Sequence, residues 1–312
     1  MDLGNCSTEF LLLGFRNLSN YKVPLFIMFF VFYIAILIGN LLIITLVSIS
    51  HSLNSPMYYF LAHLACSDIS ISTIVIPKML FVVLKDRETI TFIGCISQLY
   101  LFGSSAITEC FLLTVMSYDR YLAICKPLHY ITIMDISLRR HLTAWSWMLA
   151  FILTLITVPQ IYQLQFCGPN IIDHFVCDPA PLLELSCSDT SFIELQNLIL
   201  GLPVTFLPFG FIVTTYVCIF LSILKITSTF GRQKAFSTCS SHLSIVCIYY
   251  VTLVTLYVLP SKGHSYNLTK IQFLLYTMVT PLINPLIYSL RNQDVRTVLK
   301  IVFCQKKHYK GH

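Results

Sequence analysis

The chain has 312 residues, 56% of them hydrophobic and 11% charged, with a formal net charge of +6. The charged fraction is under half of the roughly 25% usual in soluble domains, which excludes an ordinary water-soluble fold. Apolar runs of membrane-spanning length recur along it, continuous rather than alternating, and so predict crossing helices and not a membrane barrel.

Residues 1–22 read as an amino-terminal tail. The apolar stretch Phe10–Phe15 is too short, and lacks the basic leader, for a secretory signal, so the first span is expected to act as its own insertion signal. Asn5-Cys6-Ser7 is a glycosylation acceptor in that tail; Asn17-Leu18-Ser19 and Asn267-Leu268-Thr269 also match but lie close to the membrane. Spans are predicted at about 23–49, 57–84, 96–125, 140–161, 195–225, 237–260 and 271–290. The connections are short except at 162–194, which carries Asp173, Asp178, Glu184 and Asp189 and runs up to Glu194. Past Arg291 an amphipathic pattern (Val295, Val298, Leu299, Val302 and Phe303 among Arg296, Lys300 and Lys306) suits a short eighth helix against membrane lipid, with Cys304 a candidate for palmitoylation.

Orientation follows from basic residues. With the amino terminus outside, thirteen of the twenty Lys and Arg fall on the inner side, as the positive-inside rule requires. The basic balance therefore fits membrane topology with a cytosolic docking face, and no nucleic-acid partner is expected. Cys95, at the mouth of the third span, and Cys167, Cys177 and Cys187, in the long loop, then lie on the oxidising side, where disulfides persist. Four cysteines allow three connectivities, and spacing does not choose among them.

Four polar residues fall mid-span: Asn40, Asp68, Glu109 and Asn284. Buried carboxylates need partners, so Asp68 and Glu109 predict a shared polar core, held either by interhelical hydrogen bonds or by a sodium ion bridging the two. At the end of the third span Asp119 and Arg120 form an ionisable pair at the membrane boundary. Pro281 and Pro285 bracket Asn284 just ahead of Tyr288, a locally weakened helix where a conformational switch can be built. There is no phosphate-binding loop, metalloprotease motif or nucleophile elbow, so no enzyme, catalytic residue or cofactor beyond the sodium ion is expected. A transporter is disfavoured by the absence of internal repeats.

Six motifs, in order and each at the right span, carry a resemblance. They are Gly39-Asn40, Pro56-Met-Tyr-Tyr-Phe-Leu61, Leu64-Ala-Cys-Ser-Asp68, Met116–Cys125, Lys234-Ala-Phe-Ser-Thr-Cys-Ser-Ser-His-Leu243 and Pro281–Tyr288 with Ser289-Leu-Arg-Asn292. The chain resembles rhodopsin-like G-protein-coupled receptors and, among them, is similar to vertebrate olfactory receptors. The resemblance implies an all-α membrane protein: one receptor domain over 1–312, a seven-transmembrane helix bundle with a short amphipathic eighth helix, an extracellular tail at 1–22, a long extracellular loop at 162–194 and a cytoplasmic tail at 291–312. It implies disulfides Cys95–Cys177 and Cys167–Cys187, and a sodium pocket at Asp68 and Glu109. It implies coupling through Asp119, Arg120 and Tyr121, with Tyr216, Asn284, Pro285 and Tyr288 as the switch. The implied partners are an odorant and the stimulatory olfactory heterotrimeric G protein, at the plasma membrane. A non-olfactory chemosensory, peptide or lipid receptor is the alternative.

Helical spacing then places a binding face. Phe102, Gly103, Ala106 and Ile107 lie above Glu109 on the third helix, and Leu200, Gly201, Val204 and Thr205 above Pro208 on the fifth. Tyr250, Leu253, Val254 and Tyr257 line the sixth, and Phe273, Leu274 and Thr277 the seventh. Such a pocket is apolar and aromatic without charge, and predicts a small, neutral, mostly hydrophobic ligand. One departure stands out: where the family usually has Phe-Tyr-Gly, this chain has Tyr249-Tyr250-Val251, which adds β-branched bulk close to the expected switch.

Overall fold

The computed structural model describes residues 9–15, 21–257, 266–291 and 295–299. In chain order these form β1 (Glu9–Leu13), α1 (Lys22–Ile49), a 3-10 turn, α2 (Pro56–Lys85), β2 (Arg87–Thr91), α3 (Phe92–Cys125), α4 (Pro127–Ile133), α5 (Ile136–Tyr162), β3 (Ile171–Ile172), α6 (Pro179–Glu184), α7 (Ser191–Leu224), α8 (Thr229–Tyr257), α9 (Tyr266–Leu274), a π-helical turn (Leu275–Val279) and α10 (Thr280–Arg291). Among the described residues seven helices are long and apolar enough to cross a membrane: α1, α2, α3, α5, α7, α8 and the run from α9 through α10. The protein is a multi-pass membrane protein. Residues 295–299 are also helical, with Val295 and Val298 buried. Asn5, Asn17 and Cys304 lie outside the described residues.

A helix in hydrocarbon has no water to satisfy a broken backbone bond, so each proline needs a neighbour. Pro285 leaves the Pro281 carbonyl without its helical donor. Asn40 of α1 supplies one, its Nδ2 donating to Pro281 O at 3.0 Å. Gly39 lets the two helices approach, since a Cβ there would stand 3.0 Å from the Pro285 ring. Likewise Pro208 frees the Val204 carbonyl, and the Cys110 thiol of α3 lies 3.5 Å from it. The first- and seventh-span motifs are thus two halves of one joint.

One end of the bundle carries a cap that was not expected from the sequence. Within the amino-terminal segment, β1 (Glu9–Leu13) is the middle strand of a three-stranded sheet in the order β2-β1-β3. It pairs antiparallel with β2, from Glu9 opposite Thr91 to Leu13 opposite Arg87, and parallel with β3 at Leu11 and Leu12. Strand alternation buries Phe10 and Leu12, and Phe10 packs edge-on against Phe166 at 5.1 Å. Cys95–Cys177 and Cys167–Cys187 are both formed and tie the long loop to α3 and to itself. The fully buried Lys270 of α9 fastens the cap: its Nζ donates to Gly14 O at 2.7 Å and pairs with Asp173 at 2.7 Å.

Breaking a buried ion pair from one side leaves the other charge uncompensated, at about 3–5 kcal/mol. Lys270→Met should therefore lower the thermal midpoint of the purified receptor by several degrees. Lys85→Met, removing an exposed cation paired with Glu88, should leave it within the scatter of the measurement. Equal midpoints for the two variants would show that Lys270 does not anchor the cap.

Candidate functional site

Beneath the cap lies a cavity of about 530 Å³, of a size that holds a small organic molecule. α3 contributes Phe102, Gly103, Ala106, Ile107 and Cys110; α7 contributes Leu200, Gly201, Val204 and Thr205; α8 contributes Tyr249 and Leu253. Nine of the residues placed by helical spacing thus surround one space. Gly103 brings α5 close, because a Cβ there would come 3.2 Å from the Thr154 methyl. Tyr249 donates from its hydroxyl to Ala106 O at 3.0 Å and so holds α8 against α3.

Five further predicted lining residues, Tyr250, Val254, Phe273, Leu274 and Thr277, are not among those that line the cavity. Phe273 packs on Phe102 at 5.1 Å, and Phe175 and His174 of the long loop pack on Phe273 at 5.9 and 5.2 Å. This aromatic block walls off the seventh span and with it Leu274 and Thr277, whose hydroxyl turns back to Phe273 O at 2.9 Å. Val254 faces outward, and Tyr250 lies below the floor, its hydroxyl 3.3 Å from the Cys110 thiol and its ring 4.8 Å from Phe209. The α8 face is rotated by one residue from the expected one, so Tyr249 takes the place assigned to Tyr250. The Tyr257 side chain lies outside the described residues. Val251 is 61% exposed on the membrane-facing side, so its bulk crowds neither cavity nor switch.

Several lining residues were not expected. The long loop roofs the cavity with Cys177, Asp178, Pro179, Ala180 and Leu183, and α5 and α7 add Thr157, Asn197 and Glu194. The lining is apolar through most of its depth, but two carboxylates stand at the cap end, where a wholly uncharged pocket was expected. Glu194 is solvent-exposed and accepts from Thr190 Oγ1 at 2.7 Å.

Deeper in the bundle is the polar core. Asn284 Nδ2 donates to both oxygens of Asp68, at 3.1 and 3.0 Å, and the Tyr276 hydroxyl donates to Glu109 Oε2 at 3.1 Å. The π-helical turn presents Tyr276 at that level. Glu109 Oε1 and Asn284 Oδ1 are buried without a hydrogen-bond donor. Two carboxyl groups and an amide oxygen, short of donors, form a set of hard oxygen ligands that fits a small monovalent cation. Among the described residues no cluster of three or more His, Cys, Asp or Glu exists that would suit a transition metal.

At the far end of α3, Arg120 binds Asp119 through Nε at 3.0 Å and through a second guanidinium nitrogen. Asp119 is fully buried and takes a third bond, from the Tyr130 hydroxyl of α4 at 2.8 Å. Burial and the Asp119 charge push the Tyr130 phenol up from its ordinary value, so it stays a donor. Tyr130 had no sequence signal, since only the chain reversal after Cys125 brings it back. Tyr216 of α7 meets His242 of α8, hydroxyl to Nδ1 at 2.6 Å. Tyr121 packs with Ile219, Ile223 and Cys239 between the same helices. Tyr288 is buried within electrostatic reach of Arg120 and Asp68, and its hydroxyl has no hydrogen-bond partner.

The family model described as "Olfactory receptor" matches residues 29–306 of this chain. The chain is similar to Olfactory receptor 11A1 of Homo sapiens, 45% identical over 300 residues that cover 96% of this chain and 95% of the relative. It is similar to Olfactory receptor 10A7 of Homo sapiens, 42% identical over 299 residues (96% and 95%), and to Olfactory receptor 1J1 of Mus musculus, 44% identical over 302 residues (97% and 96%).

The aromatic wall makes one pH prediction. Burial, with the Lys270 charge beside it, holds the His174 imidazole down from 6.5 to about 3, and its Nδ1 accepts from Val176 N–H at 3.2 Å. Because the folded value is the lower one, at intermediate pH only the unfolded loop takes up the proton. Stability tied to His174 is therefore complete above about pH 6.5 and is lost as pH falls toward 3, by up to about 1.4 kcal/mol per pH unit. The thermal midpoint should drop between about pH 7.5 and about pH 5, and His174→Gln should flatten that drop. An identical decline in the variant would assign the effect to another group.

Proposed function

The chain belongs to the olfactory receptor family of G-protein-coupled receptors, and from that membership we propose that it binds small, neutral, mostly hydrophobic odorants and signals through a stimulatory heterotrimeric G protein to raise cyclic AMP. One observation carries this reading: a single helix, α3, borders the apolar cavity at Phe102, Gly103 and Ala106 and ends in the Asp119–Arg120 pair. Ile107 and Arg120 are thirteen residues apart on that helix, about 20 Å along its axis. Two disulfides at the cap end and the basic bias of the opposite end support an extracellular amino terminus and a receptor of the plasma membrane.

In the resting arrangement Asp119 holds Arg120 and is itself held by Tyr130. A ligand that binds more tightly to a second arrangement shifts the population toward it, and by no more than that difference in affinity. In the second arrangement α8 moves outward at the Arg120 end, the Tyr216–His242 contact opens, and Arg120 turns to Tyr288, whose buried hydroxyl lacks a partner at rest. Arg120 is then presented to the G protein. The Asp68, Glu109 and Asn284 oxygens would hold a structural sodium ion in the resting arrangement, and the ion would supply positive charge between the two carboxyl groups. An uncharged lining over most of the cavity favours apolar ligands, with Thr157, Asn197 and Thr205 to orient a hydroxyl or carbonyl.

In cells carrying a cyclic AMP reporter and screened against a panel of neutral odorants, Arg120→Ala should reach the surface yet lose the ligand-driven response. Ordinary signalling by that variant would remove Arg120 from the coupling machinery. Tyr130→Phe deletes one hydrogen bond to the Asp119 carboxylate, about 1.5 kcal/mol, and should raise ligand-independent cyclic AMP by up to about tenfold. Unchanged basal signalling at equal surface density would contradict a resting role for Tyr130.

A further inference from the structure

The cavity has one wall that is a single side chain thick. Leu198, Leu202 and Phe206 of α7 line it, and the same three are 55%, 44% and 50% exposed on the membrane-facing exterior. They recur every four residues and so form one ridge along the helix. Across from that ridge α5 supplies Leu153, Thr154 and Thr157. The hydrogen bonds that join α5 to α7 sit at the cap end: Gln160 to Gln196 at 2.5 Å and Thr157 to Asn197 at 3.5 Å.

α7 is also weakened at this height. Pro203 has no N–H for the Ile199 carbonyl, so a bond is missing from the helix beside Leu202. Gly201 leaves a gap, for a Cβ built there meets nothing within 4 Å. Among the described residues, two other approaches are filled. The loop overhead is pinned by Cys95–Cys177 and Cys167–Cys187, and the seventh-span side is closed by Phe102, Phe273, Phe175 and His174.

The geometry points to a lateral portal between α5 and α7, through which the ligand enters the cavity from the hydrocarbon of the membrane. This rests on the reading of the cavity as the ligand site. Loading from lipid makes the membrane concentration of a ligand the one that matters, and each added methylene raises that concentration about fourfold. Gly201 and Leu202 set the width of the portal, and Val213, outward on α7 beyond the cavity, has no part in it.

The test uses the full-length receptor in phosphatidylcholine nanodiscs. The probe is a phosphatidylcholine with a diazirine in its acyl chain, which cannot reach the cavity through water. A second arm uses a small, free, apolar diazirine. After photolysis, mass spectrometry should find the lipid-borne label on the α3 peptide containing Ala106 and Ile107, as well as on the outward faces of α5 and α7. Leu202→Ala should raise the α3 labelling and Gly201→Trp should lower it, each by about threefold to tenfold, the effect of one side chain on a passage. Val213→Trp, on the outward face of α7 and beyond the cavity, should leave it unchanged. Lipid-borne label confined to outward faces in every variant, while the free diazirine still reaches α3, would overturn the portal and leave the ligand site standing. Lipid-borne labelling of α3 that is the same in Gly201→Trp and Leu202→Ala as in the unmodified receptor would overturn it in favour of another entrance. If neither probe labels α3 in the unmodified receptor, the cavity reading falls together with the portal.

Discussion

A helix in hydrocarbon must satisfy its own backbone, and this bundle is organised around the places where that fails. Pro285 orphans the Pro281 carbonyl, and Asn40 crosses from α1 to repair it, with Gly39 clearing the approach. Pro208 orphans the Val204 carbonyl, which takes the Cys110 thiol from α3. Each repair replaces a bond inside one helix by a weaker contact between two. Rigid spans are thereby joined at positions that can give, and those positions lie between the cavity and the Arg120 end. The weak points are thus where motion at one end can be passed to the other.

Charge is subject to the same constraint, and the bundle answers it differently at successive levels. Near its cap end, Lys270 and Asp173 neutralise each other and lock strand, loop and α9 together. At mid-depth, Asp68, Glu109 and Asn284 form a polar core in which Glu109 Oε1 and Asn284 Oδ1 are buried without a hydrogen-bond partner. At the far end Asp119 has more donors than a lone carboxylate needs, taking Arg120 and Tyr130 at once. On the proposed reading the first stays closed, the second takes an ion, and the third releases a cation. Phe102, Ala106 and Tyr249 all lie on α3 or touch it, which is how the proposed ligand site would be linked to the lower two.

The spans were legible because hydrocarbon imposes length and continuity on a sequence more strictly than any soluble core does. The polar core was legible for the same reason, an intramembrane carboxylate being too costly to be incidental. The two disulfides were legible only through family resemblance, since four cysteines leave three pairings open. The cap was not legible. Phe10-Leu11-Leu12-Leu13 shows no alternation of polar and apolar residues, and its partners, Arg87–Thr91 and Ile171–Ile172, are remote in sequence. The α3 and α7 faces of the cavity followed from helical spacing, because those helices run regularly through it. The α8 and seventh-span faces did not: a rotation by one residue put Tyr249 where Tyr250 was expected, and the aromatic block built on Phe273 closed the side that Leu274 and Thr277 were to line. Tyr130 was hidden because a short helix returns it to a residue it does not neighbour in sequence.

Filling the cavity while leaving the Arg120 end untouched separates recognition from coupling most directly. Ala106→Phe puts a ring into the space between α3, α5 and α7 without touching Asp119, Arg120, Tyr216 or Tyr288. With the most potent apolar agonist found in an odorant screen, its cyclic AMP dose response should shift to at least about tenfold higher concentration at matched surface density, the equivalent of about 1.4 kcal/mol of lost binding. A dose response superimposable on that of the unmodified receptor would contradict a ligand site in this cavity.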